Sequence, residues 1–217
     1  MQMMLKISLI SDALFGSGDS VPGYIDTEIE YDVQTGLPFI RGKTLKGLLQ
    51  ECCADLLYLL HEDKWSNASD TLFGIPGSDL HSQARIHIGD ATFSKSLQNV
   101  ISTDILRGNL KKEDVLDSLT TMRKQTSINP ITGVADTGSL RTSRVLIRGV
   151  ALWADIEIDD DVTEEAKGLF AACIKTLRRG GSGRNRGLGR LNVSLTDAKE
   201  DDVTDNWFDS FKKQLTA

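Results

Sequence analysis

Cysteine is scarce in this chain, aromatic residues are few, and long apolar runs are missing. The cysteines are Cys52, Cys53 and Cys173. They form neither a disulfide framework nor a CxxC metal pattern, so buried free thiols in a reducing cytoplasm are expected. Histidine occurs only at His61, His81 and His87, with no HxH or HExxH spacing, which excludes a histidine-based metal centre. Aromatic content is 6%, too low for stacking on rings to be a main mode of recognition. No apolar run reaches the ~20 residues of a membrane span. The opening "MQMMLKISLIS" lacks a small-residue cleavage site and alternates like a strand, so no secretory signal is expected.

The composition is that of an ordinary soluble domain, with 40% hydrophobic and 26% charged residues in 217. One domain over 1–217 is expected, with an inserted region at about 96–142. The formal charge is −6, but it is segregated. Between Lys175 and Arg190 there are six basic residues and no acidic one, while seven acids and no base lie between Asp155 and Glu165. Distribution therefore outweighs the sum, and one face can be strongly positive.

Hydrophobic periodicity predicts the elements. Residues 4–11 read as a strand, and "YIDTEIEYDV" (24–33) as another. In the latter Ile25, Ile29, Tyr31 and Val33 share one face, and Asp26, Glu28, Glu30 and Asp32 the other. Helical leucine spacing marks 43–60. Residues 61–84 read as irregular, with a short helix near "SDTLFG", and "ARIHIGDATFS" as a strand. Within 96–142 only "KKEDVLDSLTT" reads as a helix, followed by a long polar loop. "VLIRGVALWADIEI" is a strand, "TEEAKGLFAACIKTLRR" a helix with acids first and bases last, "GRLNVSLTDA" a strand and "VTDNWFDSFKKQL" a closing helix. The core order is β-α-β, β-α-β, an α+β fold of the ferredoxin-like (RRM-like) split βαβ type with loop insertions.

Three stretches point to chemistry. "RRGGSGRNRGLGRL" (178–191) holds five arginines and five glycines. It joins a helix to a strand, the reverse of the dinucleotide fingerprint, and contains no GxxxxGK[ST]. Gly180, Gly181, Gly183, Gly187 and Gly189 would let backbone N–H groups approach phosphate, and Arg184 and Arg186 would add bidentate contacts. An extended polyanion suits this pattern better than one nucleotide; the alternative is a flexible turn with solvated arginines. In "TGLPFIRGKTLKGLL", Arg41, Lys43 and Lys46 sit at a helix start, where lysine opposes the dipole unless an anion is bound. "INPITGVADTGSLRTSRVLIRG" carries Arg141, Arg144 and Arg148, with Arg123 and Lys124 just before it, and could wrap a strand of RNA; the alternative is an ordinary surface loop. Tyr24, Phe39 and Trp153 are the aromatics that could stack on bases, with core positions the alternative for Phe39 and Trp153.

Together these segments resemble the RAMP superfamily of CRISPR systems, and within it the backbone subunits of type III effector complexes. The resemblance runs in order through "GSGDSVPGYID", "DVQTGLPFIRGKTLKG", "LFG" with "ARIHIGDATF", "INPITGVADTGSLR" and "GGSGRNRGLGRL". It implies a protein that holds guide RNA (crRNA) through a glycine-rich loop, pairs it with target RNA, and adjoins further backbone and effector subunits. It also implies target cleavage by a first-loop aspartate, which falls on Asp26, with Asp19 as the second candidate. Mg²⁺ or Mn²⁺ at Asp26 would be the cofactor, with no organic cofactor and no membrane partner. The acidic segment 155–165 would either balance the charge or meet a basic patch on the next protomer. Other readings stay open: a guide-holding scaffold without cleavage, a stand-alone precursor-RNA endoribonuclease using a histidine, or a ferredoxin-like module unrelated to RNA.

Overall fold

The computed structural model describes residues 1–60, 63–75, 77, 83–197, 199 and 201–215. Its main sheet has four strands: β1 (Gln2–Leu9), β2 (Ile86–Ile88), β5 (Ala151–Ile158) and β6 (Leu191–Thr196). They lie in the order β2-β5-β1-β6, and every neighbouring pair is antiparallel. On β1 the residues Met3, Leu5, Ile7 and Leu9 are buried, while Gln2 and Lys6 between them are exposed. That period-2 pattern turns one face of the sheet to α1 (Gly42–Leu60) and α5 (Glu164–Thr176). Leu45, Leu49 and Cys53 of α1 and Leu169, Phe170 and Cys173 of α5 fill that core.

Helix α5 is capped by the Thr163 hydroxyl, which accepts from the Ala166 N–H at 3.3 Å. Behind it pack α2 (Asp63–Phe73) and α6 (Thr204–Leu215), where Trp65 meets Phe211 with ring centroids 4.8 Å apart. Gly168 permits the close crossing of α5 and α6, since a Cβ there would lie 3.1 Å from the Phe211 Cβ. Helices α1, α5 and α6 and strands β1 and β6 therefore fall close to where the sequence puts them, whereas the strand expected over "ARIHIGDATFS" is only Ile86–Ile88. Helix α2 is longer than expected from "SDTLFG".

The inserted region departs most. It holds α3 (Lys95–Leu106), α4 (Lys112–Leu119), and a two-stranded antiparallel ribbon of β3 (Thr120–Gln125) and β4 (Arg141–Leu146). Helix α3 escaped notice because it buries no residue fully, so its apolar spacing is diffuse. The ribbon escaped because its strands, "TTMRKQ" and "RTSRVL", are polar except at the base. The single strand expected over 145–158 is two: β4 ends at Leu146, and a turn with Gly149 at φ +85° leads into β5. The expected strand at 24–33 is not a strand. It is a loop fastened by single bridges, Gly16 to Ile29, Val21 to Ile25 and Thr27 to Ser143. Ile25 and Ile29 are buried as the alternation requires, but Glu28 is buried too and Val33 is 68% exposed.

Glu28 goes inward because Arg144 meets it. The Arg144 guanidinium, 8% exposed, lies 3.1 Å from Glu28 and 3.0 Å from Asp117, and donates to the Thr120 hydroxyl at 3.1 Å. This ties the 16–32 loop to the base of the ribbon. Breaking such a pair strands a buried carboxylate. Arg144→Ala is expected to lower stability by about 3 kcal/mol in urea denaturation; a loss under ~1 kcal/mol, the usual worth of an exposed pair, would show the pair to be solvated.

Candidate nucleic-acid interface

The arginine-glycine segment leaves the end of α5 and returns into β6 as a paired excursion. The Gly180 N–H donates to the Gly189 carbonyl at 2.9 Å, and the Leu191 N–H to the Arg178 carbonyl at 2.9 Å. One side of this stem lies against the segment after β1. Gly189 donates to the Asp12 carbonyl at 2.7 Å, and Ser182 to the Leu14 carbonyl at 2.8 Å. The glycines are used in two ways. Gly189, at φ +67°, would place a Cβ 1.9 Å from the Gly180 oxygen, and Gly181 one 2.4 Å from the Leu14 oxygen. These two permit backbone to approach backbone, and the N–H of Gly180 and of Gly189 serves the chain itself. At the tip, the N–H groups of Gly183 and Gly187 find no acceptor among the described residues. Of the expected cradle of glycine N–H groups, those of Gly180 and Gly189 are thus spent within the chain.

Between this loop and the ribbon runs a groove of about 590 Å³, walled by Thr27, Arg123, Arg141, Ser143, Arg184 and Arg186, among others. A second hollow of about 720 Å³ continues it toward Thr126–Ile128 and shares Gln125, Arg141 and Arg186 with it. No acidic residue lines either part. An extended, arginine-lined trough free of carboxylates, in a chain of formal charge −6, is an electrostatic site for a polyanion. Thr27, Gln125, Ser143 and Asn185 were missed by sequence reasoning. Gln125 and Ser143 are brought here by the ribbon's strand pairing and Thr27 by its bridge to Ser143, contacts that leave no signal in the sequence, whereas Asn185 sits within the arginine-glycine loop itself.

The candidate basic residues separate by their partners. Arg123 is ion-paired with Asp12, a carboxylate 7% exposed that also accepts from the Arg148 N–H at 3.1 Å. Burial pushes the Asp12 carboxyl up, but the hydrogen bonds from Arg123 and Arg148 outweigh it and hold it below the usual carboxylate value. Arg184 is held by both oxygens of Glu51 on α1, at 2.8 and 2.5 Å. Arg41 is paired with Glu30, its Nη2 2.9 Å from Oε2. Arg144 is spent inside the protein on Glu28 and Asp117 and is not among the residues that line the trough. Arg141 donates only to the Gly138 and Leu140 carbonyls at 3.3 Å, and Arg186 has no side-chain partner among the described residues. The trough's uncommitted charge is therefore at Arg141 and Arg186.

At the start of α1 one free N–H is met from within the protein. The Asp90 carboxylate accepts from the Gly42 N–H at 2.7 Å, and Gly42 sits so close to β2 that a Cβ would lie 2.1 Å from the Ile88 oxygen. Lys43 and Lys46 remain outside the trough lining. The "DVQTG" segment is likewise architectural: the Asp32 Oδ1 accepts from the N–H of Gln34 and Thr35 and from the Thr35 hydroxyl. Gly36 packs under α4, where a Cβ would meet the Lys112 oxygen at 2.1 Å.

Asp26 lies exposed against the first residues of β4 and is not among the residues that line the trough. Its N–H donates to the Thr142 carbonyl at 2.8 Å, and its Oδ2 accepts from the Thr142 N–H at 2.7 Å. The next residue, Thr27, lines the trough. One carboxylate oxygen of Asp26 is left for other work. No cluster of three His, Cys, Asp or Glu side chains able to hold a metal occurs among the described residues, and the Asp26 carboxylate is a hard-oxygen group of the kind Mg²⁺ or Mn²⁺ takes. Asp19 is on the same loop, where its carbonyl accepts from the Glu28 N–H at 3.0 Å.

His61 and His81 lie outside the described residues. His87 is exposed on β2, opposite Glu157, at the far edge of the sheet from β6. Tyr24 is exposed, whereas Phe39 and Trp153 are half-buried. Arg85 pairs with Asp159 at 3.3 Å and Asp161 at 3.8 Å, and the N-terminal ammonium pairs with Asp160, so part of the 155–165 acidity is balanced locally. Among the described residues no helix is long and apolar enough to cross a membrane.

The sequence model of the RAMP superfamily matches residues 6–192. The chain is 28% identical over 134 residues to the CRISPR system Cms endoribonuclease Csm3 of Enterococcus italicus. That match takes in 58% of this chain and 63% of the relative, under two thirds of its length. Among solved structures the fold is similar to a chain of the type III-B Cmr-beta complex bound to cognate target RNA. The TM-score is 0.63 at 14% identity, covering 90% of this chain and 97% of that one. It is equally similar to a chain of the apo Cmr-beta complex, at TM-score 0.64 and 14% identity over 91% and 98%.

Two expectations follow from this geometry. Gly189→Ala should unseat the loop and sharply reduce stability, whereas Gly187→Ala, with nothing within 4 Å of its Cβ, should cost only about 1 kcal/mol from its φ of +87°. Thermal melts of the two variants separate these effects. The depressed Asp12 carboxyl contributes stability that is present above the unfolded carboxylate value of about 3.9 and is lost as pH falls through the folded value. Asp12→Asn should therefore be less stable than the parent at neutral pH, and the gap should narrow in acid below about pH 4. A gap constant with pH would contradict the assignment.

Proposed function

The chain belongs to the RAMP superfamily, and on that premise we propose that it is a guide-RNA-binding backbone subunit of a type III CRISPR effector complex that cleaves target RNA at Asp26. The observation that carries the reading is the carboxylate-free arginine trough between the arginine-glycine loop and the β3–β4 ribbon. The name of the Enterococcus relative, an endoribonuclease of a CRISPR system, and the RNA-bound complex among the structural neighbours support it. We also read the sheet order β2-β5-β1-β6, with α1 and α5 on one face, as the ferredoxin-like split βαβ core.

In this account the trough grips the RNA backbone without reading bases. Arg141 and Arg186 supply the charge, and Gln125, Ser143 and the tip N–H groups supply hydrogen bonds. Sequence specificity then comes from guide–target pairing. Asp26 precedes the trough residue Thr27 in the chain and has its Oδ2 anchored by the Thr142 N–H, which restricts the carboxylate's orientation. Its free oxygen fits Mg²⁺ or Mn²⁺ as one protein ligand, the other positions falling to water and RNA phosphate. Such an ion would stabilise charge at the scissile phosphate. Asp26 itself orients the reacting phosphodiester. Neighbouring backbone and effector subunits in the cytoplasm are the expected partners.

A second reading, a scaffold that holds the guide without cutting, draws on the same geometry: Asp26 has one oxygen engaged and no acidic companions in a metal cluster. The test is target-RNA cleavage by the guide-loaded complex, parent against Asp26→Ala, with Mg²⁺ and with EDTA. Regularly spaced cuts that vanish in the variant and in EDTA, while target binding persists, support the nuclease. Unchanged cutting by Asp26→Ala supports the scaffold. For the trough, Arg141→Gln with Arg186→Gln should weaken single-stranded RNA binding and flatten the log–log salt dependence by about 0.7 for each charge removed. An unchanged slope would place the RNA elsewhere.

A further inference from the structure

Four of the paired arginines, Arg41, Arg123, Arg144 and Arg184, differ in what holds them. Asp12 and Glu28 are themselves buried, and each is fastened by further hydrogen bonds, so Arg123 and Arg144 are fixed in place. Glu30 is also mostly shielded, at 17% side-chain exposure. Glu51 is different. Its side chain is 49% exposed on α1, and the Arg184 guanidinium is its one hydrogen-bond partner among the described residues. An exposed pair of this kind is cheap to break.

Arg184 also stands on a wall shared by two hollows. On one side is the trough. On the other is a cleft of about 370 Å³ lined by Glu51, Cys52, Asp55, Thr176 and Arg179, among others. The Arg179 guanidinium fixes the Arg184 backbone by donating to its carbonyl at 3.2 Å. The backbone stays while the long side chain can turn from the cleft to the trough by rotamer changes alone.

We propose that Glu51 is an exchangeable counter-ion for Arg184: a phosphate of the bound RNA displaces the Glu51 carboxylate from the guanidinium. This rests on the RNA-binding reading of the trough. Phosphate and carboxylate both accept the guanidinium's fork in the same two-point geometry, so one can replace the other without new backbone structure. The hydrogen bonds from Arg184 hold the Glu51 carboxyl below its usual value, so the carboxylate is ionised, and competes, across the neutral range. The pair thereby parks one arginine of the loop while no RNA is present. It weakens RNA binding by the cost of opening one exposed ion pair, which makes Glu51 a positioning residue that acts through Arg184.

The test uses the full chain and a fluorescein-labelled single-stranded RNA oligonucleotide, with affinity measured over a series of salt concentrations. Glu51→Gln should bind RNA about two- to fivefold tighter than the parent at low salt, the equivalent of one exposed ion pair no longer opened. Arg184→Gln should bind more weakly, and adding Glu51→Gln to it should give no further gain. A gain that survives in the Arg184→Gln background reports a general charge effect and overturns the exchange. So does an unchanged or weakened affinity in Glu51→Gln, the latter meaning that the carboxylate orients Arg184 for RNA. Arg141→Gln with Arg186→Gln, run alongside, separates the two readings. If that double variant binds normally, the trough assignment fails; if it binds weakly while Glu51→Gln changes nothing, only the exchange fails.

Discussion

Asp12 is the junction on which the rest of the site depends. It follows β1, so the main sheet sets its position. Its buried carboxylate takes the Arg123 guanidinium from the ribbon and the Arg148 N–H from the turn into β5. Its backbone carbonyl takes the Gly189 N–H from the arginine-glycine loop. Three segments far apart in sequence are thus held at one residue. Burying a carboxylate is costly unless its oxygens are filled, and here both are. The trough exists because this residue keeps the loop and the ribbon on either side of it.

That constraint explains how an acidic protein presents a basic surface. Most arginines near the site are neutralised locally, each by a carboxylate from another segment: Arg123 by Asp12, Arg144 by Glu28, Arg41 by Glu30, Arg184 by Glu51. Of these, Arg123 and Arg184 line the trough. The charge left over at Arg141 and Arg186 then faces a space with no acid in it. The net charge of the chain is irrelevant at that distance, because salt screens exposed charges beyond ~10 Å. What an approaching phosphate meets is the local arrangement.

Helices α1, α5 and α6 and strands β1 and β6 were legible in the sequence because each buries one face. The leucines of α1 at helical spacing and the alternation in β1 are direct prints of a core on one side. Helix α3 and the ribbon bury little, so they leave no such print, and the ribbon's "TTMRKQ" and "RTSRVL" read as loop. The 24–33 segment misled for the opposite reason. Its alternation is real, with Ile25 and Ile29 buried, but single bridges satisfy it as well as a ladder does. The arginine-glycine loop was legible as a concentration of charge. Which of its arginines are free was not, because Glu51 and Asp12 lie 133 residues from Arg184 and 111 from Arg123 respectively. The role of the glycines was only half legible: Gly183 and Gly187 open the tip, whereas Gly181 and Gly189 serve close backbone contacts.

The account's central claim is that RNA lies in the trough between the loop and the ribbon. Photo-crosslinking of guide RNA to the assembled complex, with the linked peptides mapped by mass spectrometry, tests it most directly. The prediction is that crosslinks fall on residues 181–188 and on 123–127 and 141–143, the two walls of the trough. Crosslinks concentrated instead on the sheet face around Lys6 and Trp153, with those walls unmodified, would contradict it.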